Sequence, residues 1–482
     1  MQVINISFEC YPVAKAGGLA DVVGALPKYL QHFDMDSWVV LPFFDIEWVR
    51  NHQFEVVHEG FSRLGDQRFG YRIMHESGGV LGFPLYMVDV PGRLDRPGIY
   101  IDPMSDFPYW DEFERFASFQ IAVLDWLKSF QKKPDVIHCH DHHTALIPFM
   151  MTSCPVFHEF KSTPSILTIH NGHYQGWYEP DKRFLLPKIE SGREGFLYWN
   201  GKLNALSAGI RTAWNVTTVS ESYLNELQHS SKGLESLLSH ESSKSLGIIN
   251  GIDTEVWNPS TDPLIVSNYD VKSFSEGKGK NKKWLCDEFG LDPSLALFVF
   301  IGRLVGEKGA DLLPDLISRY IETGFKGNFL ILGTGEPWLH HRIQEMKNQY
   351  VDFFDASLTY NEMLAHRMYA GSDFLLMPSR VEPCGLNQMY ALRYGSLPVV
   401  RSIGGLKDSV IDFSQPDGYG ILFDHFNLDD SFYALQRAST VYSDQSLMKK
   451  LQIRAMNKDF SWDRSARQYK KLYQSLIKEK QL

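Results

Sequence analysis

The sequence predicts an α/β protein built from doubly wound, mainly parallel sheets. Short apolar runs recur along its 482 residues, and segments with helical periodicity separate them. The runs are continuous rather than alternating between apolar and polar residues, which is typical of strands buried on both faces of a sheet. A regular alternation of such strands with helices is the pattern of doubly wound α/β sheets.

Nine apolar runs predict the main strands. Those of the first half are VINISF (3–8), SWVVLPFF (37–44), DVIHCH (135–140), SILTIH (165–170) and VTTVS (216–220). Those of the second half are LFVFIGRL (297–304), NFLILG (328–333), DFLLMPS (373–379) and SLPVVR (396–401). Helical patterns such as residues 113–131 lie between them. Each half therefore has enough strands for a sheet of its own.

A segment rich in turn formers and polar residues separates the two series of strands. NGIDTEVWNPSTDP (250–263) is followed by the polar, basic stretch 273–293 before the next strand begins. We therefore predict two domains, 1–250 and 251–457. Ligands of open α/β sheets bind outside the carboxyl ends of the strands, so we expect the ligand in a cleft between the two domains.

The composition excludes several classes of partner. The net charge of -10 argues against binding a nucleic acid through its phosphates. Five scattered cysteines without a CxxC pair indicate a reducing compartment. The N-terminus has no basic region and no run approaches 18 apolar residues, so we expect a cytoplasmic protein without a membrane segment.

The stretch VAKAGGLADVVGALPKYL (13–30) follows the first predicted strand and leads into a helix. Gly17 and Gly18 at the start of that helix let backbone N–H groups approach an anion, and Lys15 adds a positive charge. The spacing matches neither the Walker loop nor GxGxxG. A simple glycine turn with a solvated lysine is therefore the alternative.

Histidines cluster at the ends of two predicted strands. DVIHCHDHHTALIP (135–148) holds four histidines and Asp141, and SILTIHNGHYQGWY (165–178) carries His170 and Asn171 where its strand ends. His138 and His140 resemble the HxH of metal hydrolases, although no HExxH is present. The alternatives are a packed strand end or a polar site that binds sugar hydroxyls.

Two segments of the second half place charged residues at strand-to-helix turns. FIGRLVGEKGADLL (300–313) carries Arg303 and Lys308, two cations suited to a diphosphate. In the segment 378–410, Glu382 precedes a helix start where the backbone of Cys384, Gly385 and Leu386 can donate N–H groups, and a second glycine pair follows. Two surface charges are the alternative reading of the first segment.

Taken together, these segments resemble bacterial glycogen synthases and plant starch synthases. AKAGGLADVVGALPK is similar to the family signature Lys-x-Gly-Gly-Leu-x-Asp-Val, and EPCGLNQMYALRYGSLPVVRSIGGLKDSV resembles its Glu-Pro-Cys-Gly-Leu block with the following Gly-Gly-Leu. GIINGIDTEVWNPSTD, VTTVSESY and the closing FSWDRSARQYKKLY also match in order. The resemblance covers nearly the whole chain.

The resemblance implies a GT-B fold, in which two Rossmann-like domains face each other across a cleft and the last helix, within 458–482, crosses back to the first domain. It also implies a glucosyl transfer that retains the anomer and requires neither a metal nor a cofactor. The resemblance implies a nucleotide-glucose as donor, with ADP-glucose expected and UDP-glucose the alternative. It implies as acceptor the non-reducing 4-OH of an α-1,4-glucan, which we expect on the side of the first domain.

The resemblance also assigns roles to individual residues. The catalytic residues it implies are Glu382, His170, Arg303 and Lys308. The donor-binding residues it implies are Lys15, Gly17, Gly18, Asn171, Asn250, Tyr360, Cys384, Gly385, Leu386, Gly404 and Gly405. The acceptor-binding residues it implies are Tyr100, Asp141 and His142. No metal ligand is implied.

The chain departs from the family pattern at several of these motifs. His142 replaces an aromatic residue in HDHH, which bears on the affinity for the glucan. HNGHYQ adds Gly172 and His173 beside the site, and Asn387 replaces a hydroxyl residue after Glu-Pro-Cys-Gly-Leu. Tyr390 stands eight residues after Glu382, where many relatives of this fold carry a ribose-binding glutamate. Two alternatives to the synthase remain at this stage: a metal-dependent hydrolase using residues 138–143, and a non-catalytic glucan-binding protein.

Overall fold

All nine predicted apolar runs form strands. The structure is a computed structural model that describes residues 1–481. It divides into two compact units: residues 1–219, 224–248 and those from Trp462 onward form the first, and residues 220–223 and 249–461 form the second. This division does not test the domain boundaries that we predicted after residues 250 and 457, and they remain predictions.

The first unit is built on a nine-stranded sheet whose central strand is β1. Its strands, with those of two small sheets, are β1 (Gln2–Ile6), β2 (Asp36–Pro42), β3 (Phe54–Leu64), β4 (Gln67–Glu76), β5 (Leu85–Asp89), β6 (Ile101–Asp102), β7 (Phe107–Pro108), β8 (Val136–His140), β9 (Ser165–Ile169), β10 (Trp177–Tyr178), β11 (Tyr198–Trp199), β12 (Lys202–Asn204), β13 (Asn215–Thr218) and β14 (Ser245–Gly247). The order of the large sheet is β14-β13-β9-β8-β1-β2-β5-β4-β3, and only the β3–β4 and β4–β5 pairs are antiparallel. β6 and β7 pair only with each other, and β10, β11 and β12 form the other small sheet.

The second unit has a six-stranded sheet in which every pairing is parallel. Its strands are β15 (Leu297–Ile301), β16 (Asn328–Leu332), β17 (Phe354–Ser357), β18 (Phe374–Met377), β19 (Leu397–Arg401) and β20 (Ile421–Phe423). The order β17-β16-β15-β18-β19-β20 is the arrangement of doubly wound nucleotide-binding sheets. The predicted fold class is therefore confirmed.

Helices connect and cover the strands. They are α1 (Gly18–Gln31), α2 (Glu47–Arg50), α3 (Glu112–Lys128), α4 (Leu146–Ser153), α5 (Ala205–Thr212), α6 (Glu221–Leu227), α7 (Glu235–His240), α8 (Phe274–Phe289), α9 (Leu313–Glu322), α10 (Pro337–Gln349), α11 (Glu362–Gly371), α12 (Asn387–Arg393), α13 (Gly404–Ser409), α14 (Leu428–Ser443), α15 (Gln445–Met456) and α16 (Trp462–Gln481). Short 3₁₀ helices are Pro155–Phe160, Pro180–Leu185, Glu194–Leu197, Ser242–Lys244, Gly306–Lys308 and Ala310–Leu312. None of the helices in residues 1–481 is both long and apolar enough to cross a membrane.

The last helix packs on the first unit, as the predicted fold class requires. Trp462, Tyr469 and Tyr473 of α16 are buried in one cluster with Val3 of β1 and Leu26 of α1. Burying aromatic side chains of this size is among the larger apolar contributions to stability. α16 therefore belongs to the core of the first unit although it ends the chain.

In each large sheet, the order of the strands reverses at one point between two neighbouring strands. In the first unit this happens between β1 and β8, and in the second between β15 and β18. The connections leave such neighbouring strands on opposite faces of the sheet, so a crevice opens at their carboxyl ends. We therefore expect a site among the residues that follow β1 and β8 in the first unit, and among those that follow β15 and β18 in the second.

Candidate active site

In the first unit, the loop after β1 is organised by a buried carboxylate that the sequence analysis did not single out. Glu9 accepts hydrogen bonds from the backbone N–H groups of Ala16 and Gly17, at 2.6 and 2.7 Å, and from the hydroxyl of Tyr100 at 2.9 Å. Burial raises the pKa of Glu9, while these hydrogen bonds favour its charged form. The carboxylate thus fixes both the glycine loop and Tyr100.

The glycine pair of this loop is not explained by the fold around it. α1 begins at Gly18, and the preceding Gly17 has an extended backbone, with φ of -149°. A Cβ added to either glycine would meet no atom within 4 Å, whereas one added to Gly24 in the same helix would meet the Tyr11 carbonyl oxygen at 2.3 Å. Neither packing nor backbone strain requires glycine at 17 and 18. The open space over both residues is what a ligand approaching the backbone would need.

Lys15 is engaged with the helix that follows it. Its Nζ lies 2.7 Å from Oδ1 of Asp21, and its side chain is half-exposed. Asp21, in the first turn of α1, therefore holds Lys15 in position. The Gly17 N–H, expected to face the donor phosphates, donates instead to Glu9 in this structure.

The histidines within β8 and directly after β9 are buried, which favours their neutral form. His138 bonds through Nδ1 to the Tyr473 hydroxyl at 2.9 Å and through Nε2 to Thr168 Oγ1 at 2.6 Å. His140 Nδ1 lies 3.0 Å from Nε2 of His170. Burial lowers the pKa of His138 and of His170 to about 3.

These contacts argue against the alternative of a metal-dependent hydrolase. Both ring nitrogens of His138 are used by the fold, and a neutral His140 shares a hydrogen bond with His170. Across residues 1–481, no three His, Cys, Asp or Glu side chains are grouped so that they could hold a metal ion. The cluster is a hydrogen-bonded strand end rather than a ligand set.

Asp141, the residue after β8, occupies a strained and buried position. Its backbone is left-handed, with φ of +57°, and its Oδ1 accepts the N–H of His170 at 2.7 Å. Burial raises the pKa of Asp141 to about 7, even though the N–H groups of His170 and Asn171 favour the carboxylate. Strained backbone of this kind is concentrated at functional sites.

Two further histidines line the same place. His143 stacks on Tyr100, with ring centroids 4.6 Å apart, and His142 lies beside His143 at 3.8 Å. Within residues 1–481, the buried Nδ1 atoms of His142 and His143 have no hydrogen-bond partner. Two polar atoms that lack a partner inside the protein are suited to bind hydroxyl groups of a ligand.

In the second unit, the crevice between β15 and β18 holds a closely paired lysine and glutamate. Lys308 Nζ lies 2.7 and 2.8 Å from the two carboxylate oxygens of Glu382, and Ser379 Oγ donates to Glu382 at 3.0 Å. Glu382 is only 4% exposed. The pair forms because Lys308 follows β15 and Glu382 follows β18, so that both reach the point where the strand order reverses.

Arg303 also follows the end of β15, but its side chain is largely exposed to solvent. Its side chain is 64% exposed, and its nearest carboxylate oxygen, on Glu307, is 3.9 Å away. A long, exposed guanidinium beside a crevice is able to bind a phosphate bidentately.

The two glycine-bearing turns after β18 and β19 pack against each other. Gly405 N–H donates to the Glu382 carbonyl oxygen at 3.0 Å, and a Cβ there would lie 2.1 Å from the Cys384 carbonyl oxygen. Gly385 and Gly404 have left-handed backbones, with φ of 71° and 46°. Cys384 is buried, which raises the pKa of its thiol to about 12, and Leu386 precedes α12. These residues shape the loop beside Glu382.

The remaining predicted residues of the second unit lie at different depths. Asn250 is buried beside Cys384, and its Oδ1 has no hydrogen-bond partner within residues 1–481. Tyr360, which follows β17, is 81% exposed. Asn387 donates to the Ile301 carbonyl oxygen at 2.6 Å, so this departure from the family pattern is tied to the end of β15.

Tyr390 is part of an aromatic stack. Its ring lies 3.8 Å from that of Trp257, which in turn stacks on His366 at 3.9 Å. His366 bonds to the buried Asp262 at 2.7 Å. The residue at the position of the ribose-binding glutamate is thus part of a packed column.

Each unit brings its own predicted residues together. The first unit gathers Tyr100, Asp141, His142 and His170, and the second gathers Lys308, Glu382, Cys384 and Gly405. Glu9 and His143 are additional members of the first group. The sequence could have indicated both residues, since Glu9 follows the first strand and His143 belongs to the histidine cluster. Their roles, however, depend on contacts with residues that are distant in sequence.

Comparison with known proteins gives matches over nearly the whole chain. The model described as "Starch synthase catalytic domain" matches residues 2–240, and "Glycosyl transferases group 1" matches residues 296–438. The chain is 47% identical over 481 residues to a glycogen synthase of Flavobacterium johnsoniae, covering 100% of both chains. It is 38% identical to glycogen synthase 2 of Geobacter metallireducens, covering 98% of this chain and 99% of that one.

Two solved structures extend the comparison to the fold. The catalytic domain of starch synthase IV from Arabidopsis thaliana, bound to ADP and acarbose, superposes with a TM-score of 0.86 at 32% identity, covering 99% of each chain. A sucrose-phosphate synthase from Thermosynechococcus elongatus has a TM-score of 0.62 at 16% identity, also covering 99% of each chain, which shows the fold alone.

Proposed function

The chain belongs to the family of glycogen and starch synthases, and from this premise we propose that it transfers glucose from ADP-glucose to the non-reducing 4-OH of an α-1,4-glucan with retention of the anomer. It is a glucosyltransferase of the glycogen synthase type. The observation that carries the proposal is the Lys308–Glu382 pair at the strand-order reversal of the second sheet.

That pair suits the charge changes of glucosyl transfer. When the nucleoside diphosphate leaves, negative charge grows on its phosphates while positive charge grows on the glucosyl ring. Lys308 and Arg303 supply cations for the first, and the Glu382 carboxylate stabilises the second. In the free protein each charge of the buried pair compensates the other, so neither is desolvated alone.

The donor nucleotide is inferred from the relatives. The Arabidopsis structure is described as bound to ADP and acarbose, at 32% identity over 99% of this chain. Asn250, with an unpartnered buried Oδ1, and the exposed Tyr360 are our candidates for contacts to the donor glucose and the nucleobase. Lys15 with the Gly17–Gly18 turn stays our prediction for the phosphates, supported by the open space over both glycines, while the Gly17 N–H itself is bonded to Glu9.

The acceptor end is assigned to the group around Asp141. Its carboxyl, with a pKa raised to about 7 by burial, and the neutral His142 and His170 are hydrogen-bonding groups suited to sugar hydroxyls. Tyr100, fixed by Glu9, adds an aromatic face. A cytoplasmic location, where nucleotide sugars are made, is supported by five buried cysteines that form no disulfide.

A donor screen tests the proposal. Purified protein is incubated with glycogen and either ADP-glucose or UDP-glucose, and the released nucleoside diphosphate is measured. We expect glycogen-dependent release of ADP, with UDP release much slower. No release from either donor would contradict the synthase and favour the non-catalytic glucan-binding protein. Faster release of UDP would overturn the donor assignment alone.

A further inference from the structure

A short hairpin directly after Tyr100 exposes a concentration of large apolar side chains. β6 and β7 pair Ile101 with Pro108 and Asp102 with Phe107. Met104 is 93% exposed, Phe107 70% and Trp110 88%. Single exposed apolar residues are ordinary, but several within ten residues mark a binding surface.

The hairpin projects from a rigid base. Arg115 of α3 is fully buried and donates to the carbonyl oxygens of Arg93 and Ile99, at 3.0 and 3.2 Å. Arg96 forms a bidentate ion pair with Asp111, at 2.8 and 2.7 Å. The chain before the hairpin and the chain after it are therefore held by buried charged groups. A surface fixed in this way loses little conformational entropy when it binds a ligand.

The hairpin follows Tyr100, a member of the acceptor group, directly in the sequence. Tyr100, whose hydroxyl bonds to Glu9 and whose ring stacks on His143, is followed immediately by Ile101 of β6. A polymer bound with its end at the acceptor group has to leave that group over neighbouring surface. The hairpin is the neighbouring surface on the Tyr100 side.

The chemistry of the hairpin fits a neutral sugar polymer. Phe107 and Trp110 are exposed aromatic side chains with flat apolar faces, and the same segment carries the hydrogen-bonding side chains of Asp102, Ser105 and Asp106. The hairpin segment 101–110 has acidic residues and no basic ones, which disfavours a phosphate-bearing ligand. Sugar rings present apolar C–H faces ringed by hydroxyls, and both parts have a counterpart here.

We propose that the hairpin 101–110 is a binding platform for the glucan chain behind the accepting end, with Phe107 and Trp110 stacking on sugar rings. The inference rests on the proposed function, because it takes the acceptor group around Asp141 as its starting point. It adds a determinant of chain-length preference. Long acceptors reach the platform, whereas a disaccharide at the acceptor group does not.

The test compares long and short acceptors in a double variant, Phe107→Ala/Trp110→Ala. Binding of maltoheptaose without donor is measured by calorimetry, and KM values are measured for maltoheptaose, maltose and ADP-glucose. Because both residues are exposed, the variant should keep its melting temperature. The matched control, Trp338→Ala/Tyr433→Ala, removes exposed aromatic residues of the second unit.

We expect the Kd and the KM for maltoheptaose to rise about tenfold in the double variant, because truncating an aromatic anchor commonly costs this much. The KM values for maltose and ADP-glucose should stay within about twofold, as they should for every ligand in the control. An unchanged Kd for maltoheptaose, or an equal loss for maltose, would overturn the platform. So would hairpin-dependent self-association with unchanged glucan binding, since it would assign the surface to a protein contact.

The two proposals can fail separately. The calorimetric measurement needs no transfer reaction, so hairpin-dependent binding of maltoheptaose supports the platform even where no ADP is released. Release of ADP by the wild type with unchanged binding in the double variant would leave the synthase intact and remove the platform.

Discussion

At the scale of single residues, the contrast between Arg303 and Lys308 separates chemistry from stability. Arg303 is exposed and, among the residues that the structure describes, has its ion-pair partner Glu307 as far as 3.9 Å away, whereas Lys308 compensates a buried glutamate. We propose that both residues bind the departing diphosphate. The stability of the fold depends on Lys308 but not on Arg303.

Replacing Arg303 by Ala is expected to lower kcat by about a hundredfold or more while leaving the melting temperature unchanged, because it removes only a transition-state contact. Lys308→Ala should lower kcat similarly and also destabilise the protein by roughly 2–3 kcal/mol, because it leaves Glu382 buried without its partner. Steady-state kinetics and urea unfolding check both. An active Arg303→Ala/Lys308→Ala protein would contradict the proposed roles.

Asp141 leads to a pH-dependent prediction. Burial raises its folded pKa to about 7, above an unfolded value near 3.8, so the folded state holds the proton more tightly. The stability from this group is fully present below about pH 4 and is lost as the pH rises through about 7. Asp141→Asn does not titrate. Its stability relative to the wild type should therefore rise on the order of 2 kcal/mol between pH 4 and pH 8.

Unfolding by urea at several pH values measures that difference. The buried histidines also titrate on unfolding, with the opposite sign, but they are present in both proteins and cancel in the comparison. A difference between Asp141→Asn and wild type that is independent of pH would show that the carboxyl is not held in a raised-pKa environment.

Residue types at strand ends could be recognised in the sequence, but their partners could not. Glu382, Lys308 and Asp141 each follow a predicted strand, and chemistry at such positions is expected. Glu9 also follows a strand, yet its importance comes from Ala16, Gly17 and Tyr100, which only the folded chain brings to it. The open space over Gly17 and Gly18 was likewise invisible before the fold was known.

At the scale of elements, the loop from β1 to α1 depends on the carboxylate of Glu9. Glu9→Gln keeps one carbonyl oxygen, which can still accept both backbone N–H groups, but it removes the charge and the oxygen that accepts the Tyr100 hydroxyl. We expect a loss of about 2 kcal/mol in the free energy of unfolding, because charge-assisted hydrogen bonds to two backbone N–H groups become neutral ones. The KM values for donor and acceptor should rise as well, because the glycine loop is held less firmly and Tyr100 loses its carboxylate acceptor.

Glu76 provides a matched control for that prediction. It is buried, like Glu9, and accepts the N–H groups of Gly78 and Gly79 at 2.7 and 2.8 Å, but it lies in β4 near the sheet edge. Glu76→Gln should cost similar stability and leave both KM values unchanged. Equal kinetic effects in the two variants would show that Glu9 acts only on stability.

The helix α16 is tied to the sheet by one buried polar contact as well as by apolar packing. Tyr473→Phe removes the hydrogen bond to His138 and leaves that imidazole with an unpaired nitrogen. We expect a loss of about 1–2 kcal/mol in unfolding free energy with kcat unchanged. Ser475→Ala, which removes a hydroxyl bonded to the Leu472 carbonyl of the same helix, should cost much less. A similar loss in both variants would contradict the contact.

The elements most visible in the sequence were the buried parallel strands. Two kinds of strand are prominent among those that escaped prediction. β3 and β4 form an antiparallel pair at the sheet edge, where much of β3 is exposed and a continuous apolar run is not needed. β17 and β20 are short outer strands with too few residues for a pattern.

At the scale of the whole molecule, two mainly parallel sheets each reverse their strand order once, and each reversal collects a group of polar residues. The first unit has a buried group around Asp141, which we propose binds sugar hydroxyls, and the second has a charged group around Lys308 and Glu382. A sugar acceptor and a diphosphate donor need these two different environments. The sequence predicted both sheets because hydrophobic periodicity is local, whereas the character of each group depends on burial.

The central claim is that the glucose unit is added in α-1,4 linkage to the non-reducing end of a glucan. The direct measurement incubates the protein with ADP-[14C]glucose and glycogen, washes the polymer and digests it with β-amylase, which releases maltose from non-reducing α-1,4 ends. The account predicts labelled polymer whose label is released as maltose, with Arg303→Ala/Lys308→Ala giving none. Unlabelled glycogen with the wild-type protein, or label that resists β-amylase, would contradict it.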